Sequence, residues 1–299
     1  MSEFLSIIIP VYNAKNFINR FYNNVKLIEN AEFIFVDDGS IDDSLSILKK
    51  IEAEDTRVKV FHQVNKGPMH ARNFGMGFAS YSYISFMDID DTIETKFFSC
   101  RDSWSKADIL VTSYVNEKMN KVVSKFKQGF YNPQEFLYLL SLNGGWELWG
   151  KIYNKKVLKD IVIPTERLKA GEDAFVFIQS LVKSKKILVI DDFFYHYFYD
   201  DGSISNQKED IFIYDNYQSC KYILEKLSNQ CHIDNKSIFS NFLILFFCNS
   251  VRKNYFSKNL VNFKSLFRFF NFYASFNSGI PKSKFFIFFL YYFFLRFKL

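Results

Sequence analysis

Glycine, proline and cysteine are scarce in this chain, and their scarcity excludes several classes of protein. Among 299 residues there are 11 Gly and 5 Pro, below the average usage of about 7% and about 5%. Collagen-like, linker-like and low-complexity chains are therefore excluded. Charged residues are also few, at 23% against 48% hydrophobic residues. This balance excludes general disorder and predicts a large core in one or two domains.

The four cysteines show neither a metal-binding nor a disulfide pattern. They are Cys100, Cys220, Cys231 and Cys248. Because no two of them form a Cys-x-x-Cys pair, neither a thiolate zinc site nor a disulfide framework is indicated, and a reducing compartment is expected. We also expect no secretory signal peptide, since Glu3 is acidic and the apolar run over residues 4–9 stops at Pro10.

Acidic residues are missing from the C-terminal part of the chain. The last one is Asp234, and residues 235–299 carry ten Lys or Arg and no Asp or Glu. The same stretch holds 18 of the 38 Phe. Residues 1–234, in contrast, carry 28 basic and 32 acidic side chains. The net charge of +6 therefore hides two physically different regions.

The first ninety residues alternate between strand-like and helix-like patterns. Continuous apolar runs predict strands that are buried on both faces, at residues 5–9, 33–36, 58–61 and 83–87. Helical spacing of apolar residues predicts helices between them, at residues 14–28, 40–51 and 68–79. Ser40 and Asp43 resemble a capping box before the second helix. The alternation predicts an α/β fold, a Rossmann-like, mostly parallel sheet flanked by helices.

Polar or conformationally special residues follow each of these four strands, at positions 10–13, 37–40, 62–65 and 88–91. Ligands of an α/β sheet bind at the carboxyl ends of its strands. Asp88 and Asp90 alternate with Ile89, so in an extended segment both carboxylates can converge on one hard cation such as Mg²⁺ or Mn²⁺. The alternative interpretation is a polar turn after a strand, which the spacing alone does not exclude.

Six short motifs, in this order, resemble those of family 2 glycosyltransferases with the GT-A fold. They are SIIIPVYN at residues 6–13, FVDDGS at 35–40, GPMHARN at 67–73, FMDIDD at 86–91, WGK at 149–151 and GED at 171–173. The resemblance implies a GT-A-like catalytic domain over residues 1–205, with a nucleotide-binding half (1–91) and an acceptor half (92–205). Residues 206–299 would form a helical, basic, Phe-rich region.

The resemblance also implies a role for each matched residue. Four residues would bind the nucleotide base, most often uracil: Pro10, Val11, Tyr12 and Asp38. Asp88 and Asp90 would bind the divalent metal, Mn²⁺ or Mg²⁺, and the sugar diphosphate. Asp173 would be the catalytic base, and Glu172 is the alternative for that role.

The chemistry of the side chains agrees with these roles. A carboxylate such as Asp38 can accept the N3–H of uracil, and Tyr12 offers an aromatic face to the ring. Asp37 would shape the turn, in which Gly39 allows a backbone conformation forbidden to other residues. Arg72 would neutralise a phosphate or pair with a carboxylate at the strand ends. The alternative for Arg72 is a surface salt bridge of little energetic consequence.

Asp173 and two tryptophans have a structural and a functional interpretation each. A carboxylate at a helix start commonly caps the helix, whereas a general base at this position would take a proton from the acceptor hydroxyl. Trp149, together with Trp146, would form an apolar platform for a sugar or simply pack in the core. The sequence leaves both pairs of alternatives open.

The segment over residues 195–205 resembles the family's closing segment but departs from it at one position. YHY at 195–197 and GSIS at 202–205 match, whereas Phe198 stands where the family usually has Arg. The resemblance therefore implies no phosphate-clamping residue at that position. His196 would substitute for it or contact the metal. A lone His among aromatics is more often packed or structurally hydrogen-bonded.

These features predict an inverting glycosyltransferase that uses a nucleotide-diphosphate sugar, UDP-linked. The acceptor would be a glycan or lipid-linked hydroxyl in the synthesis of a bacterial surface polysaccharide such as lipopolysaccharide or capsule. The alternatives are a sugar-nucleotide nucleotidyltransferase, which releases pyrophosphate, and a non-catalytic nucleotide-sugar-binding protein. No nucleic-acid partner is expected, although a basic, aromatic composition can also suit one.

The C-terminal composition predicts contact with an anionic membrane surface. Lys and Arg stay with the headgroups while Phe and Leu reach the acyl boundary. The apolar run over residues 285–295 has 11 residues, fewer than the roughly 20 needed to cross a bilayer. The alternative is a helical subdomain that packs its Phe inside. We expect a cytoplasmic enzyme that is peripheral on the inner face of the cell membrane.

Overall fold

The computed structural model describes residues 5–99, 106–163, 168, 171–198, 210–230, 236–254 and 257–297. The chain forms two compact units that are interleaved in sequence. The sheet unit comprises Met1–Pro133, Glu147–Arg167 and Gln179–Tyr199, and the helical unit comprises Gln134–Trp146, Leu168–Ile178 and Asp200–Leu299. The domain division at residue 205 stays a prediction.

Ten strands of the described residues form one sheet in the sheet unit. They are β1 (Leu5–Val11), β2 (Ala31–Asp37), β3 (Val58–His62), β4 (Tyr83–Phe86), β5 (Thr92–Ile93), β6 (Ile109–Asn116), β7 (Lys121–Val123), β8 (Gly129–Tyr131), β9 (Lys151–Asn154) and β10 (Ile187–Tyr197). Their order is β3-β2-β1-β4-β9-β6-β10-β5, with β7 beside β6 and β8 beside β10.

The longest strand pairings are parallel, as the alternating pattern predicts. Strands β1, β2, β3 and β4 run parallel to their neighbours among themselves, and β6 runs parallel to β10. The second half of the sheet also contains antiparallel partners, since β9 lies between β4 and β6 and is antiparallel to both. The carboxyl ends of β1 to β4 therefore lie along one edge of the sheet.

The helices of both units complete the α/β architecture. They are α1 (Lys15–Val25), α2 (Ser44–Glu54), α3 (Pro68–Met76), α4 (Pro133–Asn143), α5 (Lys155–Leu158), α6 (Glu172–Lys183), α7 (Asp210–Gln230), α8 (Lys236–Lys253), α9 (Phe272–Phe276) and α10 (Lys282–Phe297). Two 3₁₀ segments cover Thr95–Ser99 and Lys258–Phe269.

The predicted capping box before α2 is wrong. The helix begins at Ser44, and the side chain of Asp43 at the N-cap makes no capping hydrogen bond, whereas the backbone N–H of Ser44 donates to Oδ1 of Asp42 at 3.0 Å. Ser40 instead uses its Oγ to accept a hydrogen bond from the backbone N–H of Asn13, 2.9 Å away. Ser40 therefore connects the loops after β1 and β2, because a partner from another strand end is available to it.

A glycine brings α3 close to the sheet. A Cβ on Gly75 would lie 2.7 Å from Cγ2 of Ile8 and 3.1 Å from Cγ2 of Val36. Residues on β1 and β2 thus contact the helix backbone directly, and any larger side chain would push the helix away. This packing fixes the position of Arg72, which lies on α3 one turn earlier.

The helical unit has an extensively buried central helix. Buried residues run along α8 almost without interruption, including Phe242, Phe246 and Phe247. Phe247 contacts Phe263 and Phe288 edge-to-face, at centroid distances of 5.3 and 5.2 Å. Some of the C-terminal phenylalanines therefore form a core, as the packing alternative requires. Among the described residues, no helix is long and apolar enough to cross a membrane.

Asp55, at the end of α2, is linked by hydrogen bonds to Tyr22 on α1 and to Arg57 just before β3. Its Oδ2 accepts hydrogen bonds from the guanidinium of Arg57 at 2.7 Å and from the Tyr22 hydroxyl at 2.9 Å. Arg57 also donates to the carbonyl of Ile28, 2.9 Å away. The hydrogen bonds from Arg57 outweigh desolvation and lower the pKa of Asp55 to about 2.

We expect Asp55→Asn to lower the free energy of unfolding at neutral pH by about 1–2 kcal/mol. Because the folded-state pKa of Asp55 is depressed, its contribution is full above the unfolded pKa of about 3.9 and is lost as the pH falls through about 2. The difference between wild type and variant should therefore shrink in acid. Urea unfolding at a series of pH values measures it.

The control for this prediction is Asp43→Asn, which removes an exposed carboxylate 3.4 Å from Lys15. Exposed pairs of this kind contribute about 0–1 kcal/mol. We expect a change below about 0.5 kcal/mol at every pH. Equal losses in the two variants, or a loss in Asp55→Asn that does not depend on pH, would contradict the prediction.

Candidate active site

The loops after β1 and β2 are held together by their own polar side chains. The backbone N–H of Asp38 donates to the carbonyl of Val11 at 2.8 Å, and Asn13 accepts from the N–H of Ile41 at 2.9 Å through its Oδ1. Val11 is buried and Pro10 partly so, whereas the Tyr12 side chain is 48% exposed. The ordered loop thus presents one aromatic ring to solvent, and the role of Tyr12 in base stacking stays a prediction.

The Asp38 carboxylate fixes the loop between β3 and α3. It is 3% exposed. Its Oδ1 accepts hydrogen bonds from Nε2 of Gln63 and the N–H of Lys66, and its Oδ2 from the N–H of Gly67, at 2.7–2.8 Å. A carboxylate has about four acceptor sites, and three are used here within the protein. The role of Asp38 in binding a base stays a prediction.

Asp37 and Gly39 shape the same turn. Asp37 is fully buried, and its Oδ2 lies 2.7 Å from Nδ1 of His62 and 3.3 Å from the N–H of Ser40. Gly39 has φ +74°, and a Cβ there would lie 2.8 Å from the backbone nitrogen of Asn65. Only glycine fits such a conformation and such a close approach, as the sequence predicts.

Arg72 pairs with a carboxylate at the strand ends. Its NH2 donates to Oδ1 of Asp88 at 2.6 Å, and the side chains are only 7% and 30% exposed. The alternative of a surface salt bridge is therefore wrong for Arg72, because the guanidinium lies below the surface. The position of α3 on the sheet brings this positive charge to the end of β4. Asp90, two residues further along, is partly exposed.

Asp91 is a site residue to which the sequence analysis assigned no role. It is 2% exposed; its Oδ2 accepts from the Tyr195 hydroxyl at 2.6 Å and its Oδ1 from the N–H of Phe198 at 2.8 Å. Burial, followed by the charges of Asp88 and Asp90, raises the pKa of Asp91 to about 8. The one sequence signal was a third carboxylate within the run at 88–91.

Tyr195 holds the acidic loop from the second half of the sheet. Its hydroxyl donates to Asp91 and accepts from the backbone N–H of Asp88 at 3.1 Å. Burial, followed by the charges of Asp91 and Asp88, raises the pKa of Tyr195 well above its usual value, so the group stays a hydroxyl donor. A residue on β10 therefore determines the course of the loop that follows β4.

Comparison with known proteins identifies this domain. Residues 6–145 match the family model described as "Glycosyl transferase family 2", which includes the loops after β1 to β4. This stretch is a family 2 glycosyltransferase domain. The predicted family is thereby confirmed.

Curated relatives of the glycosyltransferase domain act in bacteria, and most are longer proteins. The chain is 27% identical to "Glycosyltransferase GlyA" of Streptococcus pneumoniae over 224 residues, which are 67% of this chain and 31% of that one. It is 29% identical to "Minor teichoic acid biosynthesis protein GgaA" of Bacillus subtilis over 202 residues, which are 60% of this chain and 44% of that one. The chain thus spans less than half of either relative.

A solved structure has the same fold. The crystal structure of residues 1–349 of Staphylococcus aureus TarS in complex with UDP-GlcNAc is similar over 91% of this chain and 82% of that one, with a TM-score of 0.74. Because the sequences are 21% identical, the likeness concerns the fold. It confirms the predicted GT-A-like α/β architecture.

Trp149 supports Tyr195 from one side. The two rings are stacked at 4.6 Å with an interplanar angle of 7°, and Trp149 also stacks on Tyr197 at 5.5 Å. Trp149 is partly buried and packs against the core. Trp146 lies in the helical unit, where it stacks on Phe246 at 4.9 Å. Packing thus accounts for both rings, and a sugar platform stays a prediction for Trp149.

His196 is engaged in a structural contact. Its Nδ1 lies 2.6 Å from Oε1 of Glu117, and its ring meets Phe193 edge-to-face at 5.7 Å. These contacts favour the structural interpretation over a metal ligand. The predicted GSIS segment at 202–205 lies outside the described residues.

A second arginine reaches the acidic loop from α1. The guanidinium of Arg20 lies 5.1 Å from the ring centroid of Phe198, and its NH2 donates to the carbonyl of Asp90. Phe198 occupies the position at which the family usually has Arg. A positive charge therefore does reach this part of the sheet unit, but from another element. The helical pattern over residues 14–28 gave no signal for it.

Glu172 and Asp173 lie in the first turn of α6, within the helical unit. Both are partly exposed. Gly171 precedes them with φ +75°, and a Cβ there would lie 2.7 Å from Cβ of Ser219. The close approach to α7 explains why glycine stands before the two acids. The catalytic role of Asp173 stays a prediction.

Proposed function

We propose that this protein is an inverting, metal-dependent glycosyltransferase that transfers a sugar from a UDP-sugar to a hydroxyl of a glycan or lipid-linked acceptor. The product would be part of a cell-surface polysaccharide. The observation that carries the proposal is the arrangement after β4, in which Asp88 pairs with Arg72 beside Asp90 and Asp91, within a family 2 domain. UDP-GlcNAc in the similarly folded TarS and the teichoic acid role in the name of GgaA support the donor and product classes.

The nucleotide would bind along the ends of β1 and β2. The exposed ring of Tyr12 would stack on the base, and the loop residues Pro10 and Val11 would line its edge. Asp38 would accept the N3–H of uracil through its remaining acceptor capacity while it holds the β3–α3 loop. Arg72 would share its charge between Asp88 and the diphosphate, since a guanidinium carries several donors in a fixed plane.

Asp88 and Asp90 would hold a Mn²⁺ or Mg²⁺ ion as its two protein ligands. Among the residues that the structure describes there is no cluster of three or more His, Cys, Asp or Glu of metal-binding geometry. A pair of carboxylates is nevertheless what such ions take when substrate phosphates complete the shell. When bound, the ion would offset the negative charge of the departing nucleoside diphosphate.

Asp173 would act as the general base. Its carboxylate would take the proton from the acceptor hydroxyl while that oxygen forms a bond to C1 of the sugar. The bond between C1 and the phosphate oxygen breaks in the same displacement, and the nucleoside diphosphate leaves with the bonding electrons. One displacement inverts the anomeric centre, so no covalent sugar–enzyme intermediate is needed. The match to the family's GED motif supports this role, whereas the first-turn position in α6 would also suit a capping carboxylate.

The proposal includes a peripheral position on the cytoplasmic, inner face of the cell membrane. Lipid-linked acceptors are held at such a surface, and the chain carries ten cations and no carboxylate side chain beyond Asp234. An anionic membrane would attract this region. Nucleic acid is not part of the proposal.

A panel of nucleotide sugars with Mn²⁺ or Mg²⁺ tests the proposed function. A donor at 100 times its dissociation constant should stabilise the folded protein by about 2.7 kcal/mol, which a thermal-shift assay detects. We expect a UDP-sugar to give the largest shift and UDP to be released on turnover. Release of pyrophosphate would indicate a nucleotidyltransferase instead, and binding without turnover would indicate a non-catalytic protein.

A further inference from the structure

Helix α10 is apolar on two opposite faces. Phe285 and Phe288 are 1% and 0% exposed and contact the rest of the helical unit. Phe286, Leu290 and Phe293 follow the spacing i, i+4, i+7 and are 52%, 69% and 47% exposed. A helix that is hydrophobic all round is normally buried on all sides. The outer stripe of α10 is therefore apolar and about half exposed, rather than buried like the inner one.

The exposed stripe continues onto α9. Phe272, Tyr273 and Phe276 are 46%, 79% and 40% exposed. Phe272 contacts Phe289 of α10 at a centroid distance of 5.1 Å, and Phe289 contacts Phe293 at 4.7 Å. We call these exposed residues of the two helices the aromatic face, which consists of Phe272, Tyr273, Phe276, Phe286, Ile287, Leu290 and Phe293. Contiguous apolar surface of this kind marks an interaction site.

Positive charge accompanies the aromatic face. Lys282, at the start of α10, lies 4.0 Å above the ring of Phe276 and donates to that residue's carbonyl. Lys284 follows on the same helix, and the sequence has two further cations at Arg296 and Lys298. Since no Asp or Glu occurs after Asp234, all charged side chains in this part of the chain are cationic. A partner that matches this surface therefore combines apolar groups with negative charge.

We propose that the aromatic face lies on an anionic lipid surface, with α9 and α10 in the plane of the interface. A helix in this plane places its outward apolar side chains at the boundary of headgroups and acyl chains, while Lys and Arg near its ends contact the headgroups. The length of α10, 16 residues, is below the roughly 20 that a spanning helix needs. This inference rests on the proposed function, because contact with the lipid surface would hold the enzyme where a lipid-linked acceptor is presented.

Sedimentation with vesicles tests this surface. The probe is the full chain with vesicles of phosphatidylcholine alone or mixed with phosphatidylglycerol. We expect binding to the mixed vesicles that weakens as ionic strength rises, and weaker binding to phosphatidylcholine. The double variant Phe286→Gln/Leu290→Gln should bind at least about tenfold more weakly, since two exposed side chains lose their contact with acyl chains. Gln keeps a high helix propensity.

The matched control is Leu27→Gln/Met119→Gln, which changes two side chains of the sheet unit that are 64% and 65% exposed. It should sediment like wild type. Equal binding of wild type and the α10 variant would overturn the proposal. So would a wild-type dimer that does not bind vesicles and that the α10 variant dissociates in size-exclusion chromatography. UDP-sugar thermal shifts should be unchanged in both variants; their absence in wild type would count against the proposed function and not against the lipid surface.

Discussion

Asp173→Asn is expected to lower kcat for sugar transfer by about 10²–10⁴-fold, the usual contribution of a general base. The amide keeps the size of the side chain but cannot accept the proton of the acceptor hydroxyl. Binding of the UDP-sugar should be unchanged, because the residues assigned to the nucleotide lie after β1, β2 and β4. Steady-state kinetics with saturating donor, together with a donor thermal shift, separate the two effects.

Glu172→Gln is the matched control for Asp173→Asn. Both side chains lie in the first turn of α6, so both substitutions remove a carboxylate from a helix N-terminus and should cost about 0.3–1 kcal/mol of stability. Only the loss of the base should change kcat strongly. A larger loss of kcat in Glu172→Gln than in Asp173→Asn would mean that Glu172 is the general base. If both variants keep the wild-type kcat, neither residue is the general base.

Local sequence patterns predicted the parts of the site that depend on neighbouring residues. The alternation of strands and helices gave a parallel sheet, and parallel strands bring the residues after β1, β2 and β4 to one edge. Gly39 was predicted to need a special backbone conformation, and its φ of +74° agrees. Such features follow from short stretches of chain, because strand alternation and turn geometry are set by a few adjacent residues.

Contacts between distant segments were not predictable in the same way. Asp91 and Tyr195 are 104 residues apart, and no periodicity indicates which of the 18 tyrosines reaches that carboxylate. Arg20 likewise reaches Asp90 from α1, and the spacing of apolar residues in α1 indicates only which of its side chains are buried. The capping box at Ser40 failed for the related reason that Asn13, on another loop, offered the serine a hydrogen bond. Long-range partners override local preferences.

Tyr195→Phe is expected to weaken the binding of Mn²⁺ in the presence of UDP by about 10–100-fold, as the loss of groups that orient metal ligands typically does. The variant keeps the ring that stacks on Trp149 and removes only the hydroxyl. Asp91 then loses a donor at a buried position, and the N–H of Asp88 loses its acceptor. Because buried unpaired polar groups are costly, the loop of residues 88–91 should rearrange.

Tyr153→Phe is the control that distinguishes this effect from general destabilisation. Tyr153 is as buried as Tyr195, and its hydroxyl donates to the carbonyl of Leu148 at 3.3 Å, away from the acidic loop. Calorimetric titration of Mn²⁺ into each variant with UDP gives the affinities, and thermal unfolding gives the stabilities. If both variants lose stability to a similar extent and only Tyr195→Phe loses Mn²⁺ affinity, the hydroxyl positions the two carboxylates. Unchanged affinity in Tyr195→Phe would mean that the link between β10 and the acidic loop serves folding alone.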